Sequence, residues 1–238
     1  ISLGIEEDRS ELLRKVKSAV ASGYRKIKLK IAPGSDVRVV AAVRAEIDPE
    51  VPLAVDGNAA YTGSDREHLT RLDRFDLSMI EQPLGPDDVV QHAALQRSLE
   101  TPVCLDETVT GPDRAAEALE IGSCRTINIK PGRVGGLRRS IEIHDLCAAA
   151  DVPVWCGGML ETGIGRSYNV ALASLPNFTL PGDLSPSRRY WERDVVEPEW
   201  TMDERGFVQV PRQNSGLGRR VDRERIGELT VRSASITA

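Results

Sequence analysis

Eight short apolar runs recur along the chain, and polar residues close five successive ones at a near-constant interval. The runs are SLGI (2–5), KIKLKI (26–31), PLAVDGN (52–58), LSMIEQP (77–83), PVCLDET (102–108), TINIKP (126–131), VPVWCGG (152–158) and FTLPGD (178–183). Lys30, Asp56, Glu81, Asp106 and Lys130 stand at or near the C-terminal ends of their runs, 26, 25, 25 and 24 residues apart. That interval is the length of one strand-plus-helix unit. Between the runs lie amphipathic stretches. Over 8–23, Asp8 and Glu11 fit a capping box, Leu12, Leu13, Val16, Ala19 and Val20 make one face, and Gly23 ends the helix. Comparable patterns cover 36–47, 86–98, 111–121, 135–150 and 161–174.

Strands alternating with helices over short connections predict parallel strands joined by crossovers. Eight of them predict a TIM-type (β/α) barrel, an α/β fold with its helices outside. A doubly wound open sheet is the rival. It lacks support because no GxGxxG follows the first strand and the polar strand ends are evenly spread. A barrel gathers the C-terminal ends of all its strands at one mouth, so the five polar residues converge there. Any one carboxylate could be a helix cap or turn residue. Five polar residues in register, inside apolar strands, fit that reading poorly, and three carboxylates buried together require compensation.

Within KIKLKI, Lys28 and Lys30 share one face, because side chains alternate along a strand. An edge strand with lysines toward solvent is the plain alternative. The chemistry of the other strand ends favours a different use. Asp56, Glu81 and Asp106, without histidine or cysteine, are hard oxygen donors that suit one divalent ion, Mg²⁺ or Mn²⁺, rather than zinc. Lys30 lies on the second strand and Lys130 on the sixth, on opposite walls of an eight-stranded barrel. A substrate carboxylate held on the metal would place its α-carbon between two amines. That is a geometry for removing an α-proton, with metal and ammonium charge stabilising the enediolate. Lys28 beside Lys30, with a cation near, favours the neutral amine that a base needs.

These residues resemble the barrel domain of the enolase superfamily in its muconate-lactonising branch: KxK on the second strand, Asp, Glu and Asp on the next three, Lys on the sixth. The segments AVDGN, MIEQPL, CLDET, NIKPGRVGG and WCGGMLETGIGR are most similar to the o-succinylbenzoate synthase and N-succinylamino acid racemase group. The resemblance runs from the first residue to about 184. It implies Lys30 and Lys130 as the acid/base pair and Asp56, Glu81 and Asp106 as ligands of one Mg²⁺. It implies a lyase that dehydrates a cyclohexadiene carboxylate in menaquinone biosynthesis, a racemase of N-succinylamino acids, or both, since both begin with α-proton removal. A dedicated N-acylamino acid racemase or dipeptide epimerase of the same branch is the alternative. Members of the family carry an N-terminal capping domain, so the expectation is an excised barrel domain over 1–184 with the cap absent. Residues 185–238, where the helical and strand periodicity fails, are expected to wrap the barrel as an arm and pack on that cap.

Other positions carry weaker signals. Arg133, three residues after Lys130, could contact substrate or tune a lysine, or lie on the surface. Asn58 could touch substrate or shape its turn, and Gly157, Gly158 and Met159 could lie against the acyl arm or offer N–H groups to an anion. A phosphate-binding barrel would use that last segment, and a non-catalytic subunit would have lost a base or ligand; neither accounts for two opposed, intact lysines. His68, His92 and His144 fall in helical or connecting stretches and are expected at the surface, and Trp155 in the core. Cys104, Cys124, Cys147 and Cys156 form no CxxC pair and are expected as free thiols in a reducing compartment. A net charge of −5 and the lack of a long apolar run argue against nucleic-acid and membrane partners. The expected protein is cytoplasmic, acts on a small-molecule carboxylate, and is homo-oligomeric at full length.

Overall fold

The computed structural model describes residues 1–212 and 216–235; of the C-terminal arm, 213–215 and 236–238 lie outside them. Seven strands form one all-parallel sheet in sequence order: β1 (Ser2–Leu3), β2 (Ile27–Lys30), β3 (Leu53–Asp56), β4 (Leu77–Glu81), β5 (Val103–Leu105), β6 (Thr126–Ile129) and β7 (Val154–Cys156). β2 is therefore an inner strand, and the edge reading of KIKLKI falls. The crossovers carry α1 (Arg9–Ala21), α2 (Asp36–Glu46), α3 (Arg66–Thr70), α4 (Val89–Gln96), α5 (Pro112–Glu120), α6 (Pro131–Val134) and α7 (Leu137–Ala149), and α8 (Gly163–Leu172) follows β7. Each predicted helix is present to within a few residues. α1 starts as expected at Asp8, whose carboxylate accepts the Ser10 N–H at 2.8 Å. Glu11 does not close a capping box; it pairs with Arg14 instead.

Strand alternation separates two environments. Ile27, Leu29, Leu53, Val55, Ile80, Val103, Leu105, Ile127, Ile129, Val154 and Cys156 belong to one large core with the helices. The alternate positions face the other side, where Ala54, Met79, Cys104 and Trp155 form a small separate cluster. In a flat sheet, five strand spacings would set β2 and β7 about 24 Å apart. Yet the Lys26 ammonium just before β2 lies 3.6 Å from the centre of the Trp155 ring on β7. The sheet is strongly curled, and those alternate residues fill its concave side.

The expected eighth strand is not present among the described residues. FTLPGD (178–183) makes no ladder, and two backbone hydrogen bonds tie its ends to β7, Val154 N to Asn177 O and Asp183 N to Cys156 O. Pro181 has no N–H to donate, and Gly182 adds flexibility without a packing side chain. On the β1 side, Ser2 Oγ donates to Asp183 Oδ2 at 2.6 Å.

Two histidines also depart from expectation. His92 is fully buried, its Nδ1 against Asp88 O at 2.6 Å and its Nε2 accepting the Leu84 N–H at 3.2 Å. Burial pushes its pKa down. His144 is buried as well, stacked on Phe178 and accepting the Asn177 N–H. His68 is half-buried and pairs with Asp36. All four cysteines are free and buried, as expected.

Past α8 the chain is mostly irregular, with an antiparallel pair of β8 (Val196–Glu197) and β9 (Arg220–Val221), then α9 (Arg223–Leu229). Trp200 anchors it, packing with Val170 of α8 and Val196 while its indole donates to Gly163 O at 3.0 Å. Gly23, at φ +87°, ends α1 where the arm returns: a Cβ there would lie 2.3 Å from Glu204 O. Among the described residues no helix is long and apolar enough to cross a membrane.

Candidate active site

The concave side ends in a charged layer. Asp56, Glu81 and Asp106, at the ends of β3, β4 and β5, are each at most 1% exposed. Carboxylates so buried need partners for every oxygen, and each has them. Asp56 Oδ2 takes Lys30 Nζ at 2.6 Å and Lys28 Nζ at 3.2 Å, while Oδ1 accepts the Asn58 N–H at 3.0 Å. Glu81 Oε2 takes Lys28 at 2.5 Å and its Oε1 accepts Asn128 Nδ2 at 2.7 Å. Asp106 Oδ2 takes Lys130 at 2.6 Å and Oδ1 pairs with Arg133. Three negative charges thus meet four positive ones in a closed network.

Burial divides the cations by role. Lys28 is 6% exposed; burial alone would lower its pKa, but the charges of Glu81 and Asp56 outweigh this and hold the ammonium above its usual value. Lys28 is thus a fixed cation between two carboxylates. Burial would likewise raise Asp56, yet Lys28 and Lys30 keep it below the usual carboxylate range. Arg133 is not a surface arginine. Its Nε donates to Val109 O at 2.8 Å and Nη2 to Asn128 O at 2.5 Å, and burial brings its pKa down to about 10, still charged at neutral pH. Lys30 and Lys130, at 33% and 20% exposed, are the two amines that reach the opening, four strands apart in the sheet order.

Among the described residues, no three carboxylate, histidine or cysteine side chains stand gathered as a metal cage. The lysines occupy the space between the acids. The donor set still suits a hard divalent ion: Lys30 and Lys130 are the partly exposed partners. Their departure would free Asp106 Oδ2 and leave Asp56 Oδ2 with only the longer Lys28 contact, while Asn58 N and Arg133 kept the other oxygens in place.

The remaining expected residues surround this layer. Asn58 Oδ1 accepts from Lys30 and its Nδ2 donates to Glu107 at 3.0 Å. Gly157 leaves room for the network, since a Cβ there would lie 2.3 Å from Asn128 Oδ1 and 2.6 Å from Lys130 Cε. Gly158 lets the Asp183 carbonyl approach, at 1.8 Å from its ideal Cβ. Met159 is 57% exposed and lines a cavity of about 840 Å³ with Lys130, Arg133, Gly157, Glu161 and Tyr168. N–H groups of this segment are taken by acids, Met159 N by Glu161 at 2.9 Å and Gly163 N by Asp194 at 2.7 Å. Carboxylates there disfavour a phosphate.

Three contributors escaped the sequence reading. Asn128, buried on β6 two residues before Lys130, was detectable from the same alternation that singled out Lys28. Gln82 is fully buried; its Oε1 accepts the Asp106 and Thr108 N–H groups at 3.0 and 3.1 Å, fixing the end of β5. Lys26 extends KxK to KxKxK, and its ammonium, buried without a hydrogen-bond partner among the described residues, lies over Trp155.

A family model described as enolase C-terminal domain-like matches residues 11–225. The chain belongs to that family. Within it, the chain is 52% identical over 230 residues to an o-succinylbenzoate synthase of Geobacillus kaustophilus, covering 97% of this chain and 60% of that protein. It is 49% identical over 231 residues to an N-succinylamino acid racemase of Amycolatopsis sp, covering 97% and 62%. The crystal structure of an enolase-superfamily member from Listeria innocua superposes with a TM-score of 0.91 at 43% identity, covering 95% of this chain and 60% of that one. The chain thus spans about three-fifths of the length of the relatives it matches.

Proposed function

We propose that the protein removes the α-proton of a small carboxylate, as an o-succinylbenzoate synthase with N-succinylamino acid racemase activity. The observation that carries this reading is the placement of two reachable amines, Lys30 and Lys130, beside three buried carboxylates at the same end of the sheet. Likeness near 50% to proteins of both names supports the substrate class. A dipeptide epimerase is a weaker alternative, since the hydrophobic dipeptide epimerase of Enterococcus faecalis is only 27% identical.

In this reading Asp56, Glu81 and Asp106 hold one divalent ion, Mg²⁺ or Mn²⁺, which supplies positive charge against the enediolate when bound. Lys30 and Lys130 leave their carboxylates, and the neutral amine of one takes the α-proton. For racemisation the other returns a proton on the opposite face; for dehydration the first gives its proton to the departing hydroxyl, and water leaves from the same face. Lys28 stays protonated and adds fixed charge beneath the reacting carbon. Arg133 holds Asp106 in line, and Asn58, Gly157, Gly158 and Met159 shape the walls against substrate.

The reading extends to the frame. Residues 1–184 act as a barrel in which 178–183 fills the place of an eighth stave, supported by its ties to both β7 and β1. Residues 185–238 serve as an arm, and the intact protein is a homo-oligomer of the cytoplasm. The test is direct: the intact protein, stripped of divalent ions and then given Mg²⁺, is assayed for dehydration and for α-proton exchange of N-succinylamino acids in deuterated water. Both activities returning with Mg²⁺ fits the reading. Neither returning rejects it, and exchange without dehydration moves the assignment to a dedicated racemase.

A further inference from the structure

The loop after β3 bends in a way its residues resist. Asn58 and Ala59 have φ of 41° and 61°, in the left-handed region that non-glycine residues occupy only when their surroundings hold them there. Backbone bonds account for part of the restraint: Ala59 N to Gln82 O at 2.8 Å and Tyr61 N to Pro83 O at 3.0 Å. The side-chain anchor is Tyr61, 2% exposed, whose hydroxyl donates to Asp36 Oδ2 at 2.6 Å. Asp36, also 2% exposed, opens α2; its Oδ1 accepts the Val37 N–H at 2.7 Å, and His68 Nε2 lies 2.8 Å from Oδ2.

Asp36 therefore binds the end of the loop that follows Lys30 to the end of the loop that carries Asn58. Between these two clamped ends, Asn58 Oδ1 accepts directly from Lys30 Nζ. Among the described residues no contact of this kind reaches Lys130, which is held by Asp106 and packed against Gly157. We infer that Asp36 and Tyr61 form a latch that keeps Asn58 against Lys30, acting as positioning residues for proton transfer on the Lys30 face alone. This rests on the two-lysine reading above. Asn58 also donates to Glu107 on the opposite side, so the carboxamide is oriented from both ends, and the latch sets the end nearer Lys30.

Two measurements on the intact protein and its Tyr61→Phe variant decide the matter. Lys30→Ala and Lys130→Ala first establish which hand of an N-succinylamino acid each lysine deprotonates. Amide hydrogen exchange over 57–61, read by mass spectrometry, is expected to quicken about fivefold in Tyr61→Phe, the worth of one net hydrogen bond. Exchange of the α-proton into deuterated water is expected to slow about tenfold for the Lys30 hand, a modest misplacement effect, and less than twofold for the other. A general loss of structure would slow both hands together. Equal slowing of both hands, or unchanged protection of 57–61, overturns the latch. If the unaltered protein exchanges neither hand, the two-lysine reading fails, and the loop measurement still decides whether Tyr61 restrains Asn58. Should Tyr61→Phe not fold, Asp36→Ala, which removes the acceptor of the Tyr61 hydroxyl, takes its place with the same expectations.

Discussion

Replacing Lys26 with methionine removes a charge from the floor of the concave side while keeping a long flexible side chain in the same space. Lys26 is 2% exposed and its ammonium has no hydrogen-bond partner among the described residues. Burial pushes its pKa from 10.5 down to about 8, with Asp183 opposing and Lys28 reinforcing the shift. A group held so much lower in the folded chain than in the unfolded one makes the charged form cost ~3 kcal/mol of stability at neutral pH. Contact with the Trp155 face returns part of that, up to ~2 kcal/mol for a desolvated cation. Lys26→Met is therefore expected to raise stability by about 1–3 kcal/mol at pH 7. Between about 8 and 10.5 the unfolded chain binds a proton that the folded chain does not, so wild-type stability gains on the variant as pH rises. Urea unfolding of both proteins at pH 7, 9 and 10.5 reads this difference. A variant less stable at pH 7, or an advantage that does not shrink toward pH 10.5, would refute the reasoning.

Gly157→Ala places a methyl group into Asn128 Oδ1 and Lys130 Cε; α-proton exchange by the Lys130 hand is expected to fall about a hundredfold, measured against the Lys30 hand in the same protein. Asn128→Leu leaves the buried Glu81 Oε1 without its donor and is expected to cost about 1–3 kcal/mol in urea unfolding. The lower end is favoured because the same change removes the unpartnered Asn128 Oδ1. Asp56 is held below the usual carboxylate range by Lys28 and Lys30 against its burial, so its contribution is full above the unfolded value of about 3.9 and lost as pH falls through the lower folded value. Acid unfolding without divalent ions, compared with Asp56→Asn, should show the gap closing only below about pH 4.

How much could be read from the chain alone depended on how local the signal was. Lys28, Lys30, Asp56, Glu81, Asp106 and Lys130 were legible because strand alternation has a period of two and each strand-plus-helix unit repeats near 25 residues, so identity and placement share one pattern. FTLPGD looked like a strand by its apolar start, but Pro181 removes a donor where a ladder would need one. His92 and His144 were misplaced at the surface because the N–H groups they accept, from Leu84 and Asn177, come from loops whose approach no helical period reveals. The Asp36–Tyr61 contact, 25 residues apart, was invisible for the same reason. Arg133 stood open between surface and site, and the partner that decides it, Asp106, lies on another strand.

The central claim is that Lys30 and Lys130 each serve one face of one substrate carbon. Its most direct test follows both hands of an N-succinylamino acid by NMR in deuterated water with Mg²⁺, using the intact protein, Lys30→Ala and Lys130→Ala. The account predicts that neither variant racemises and that each loses α-proton exchange of a different hand. Exchange of both hands persisting in either variant would contradict it.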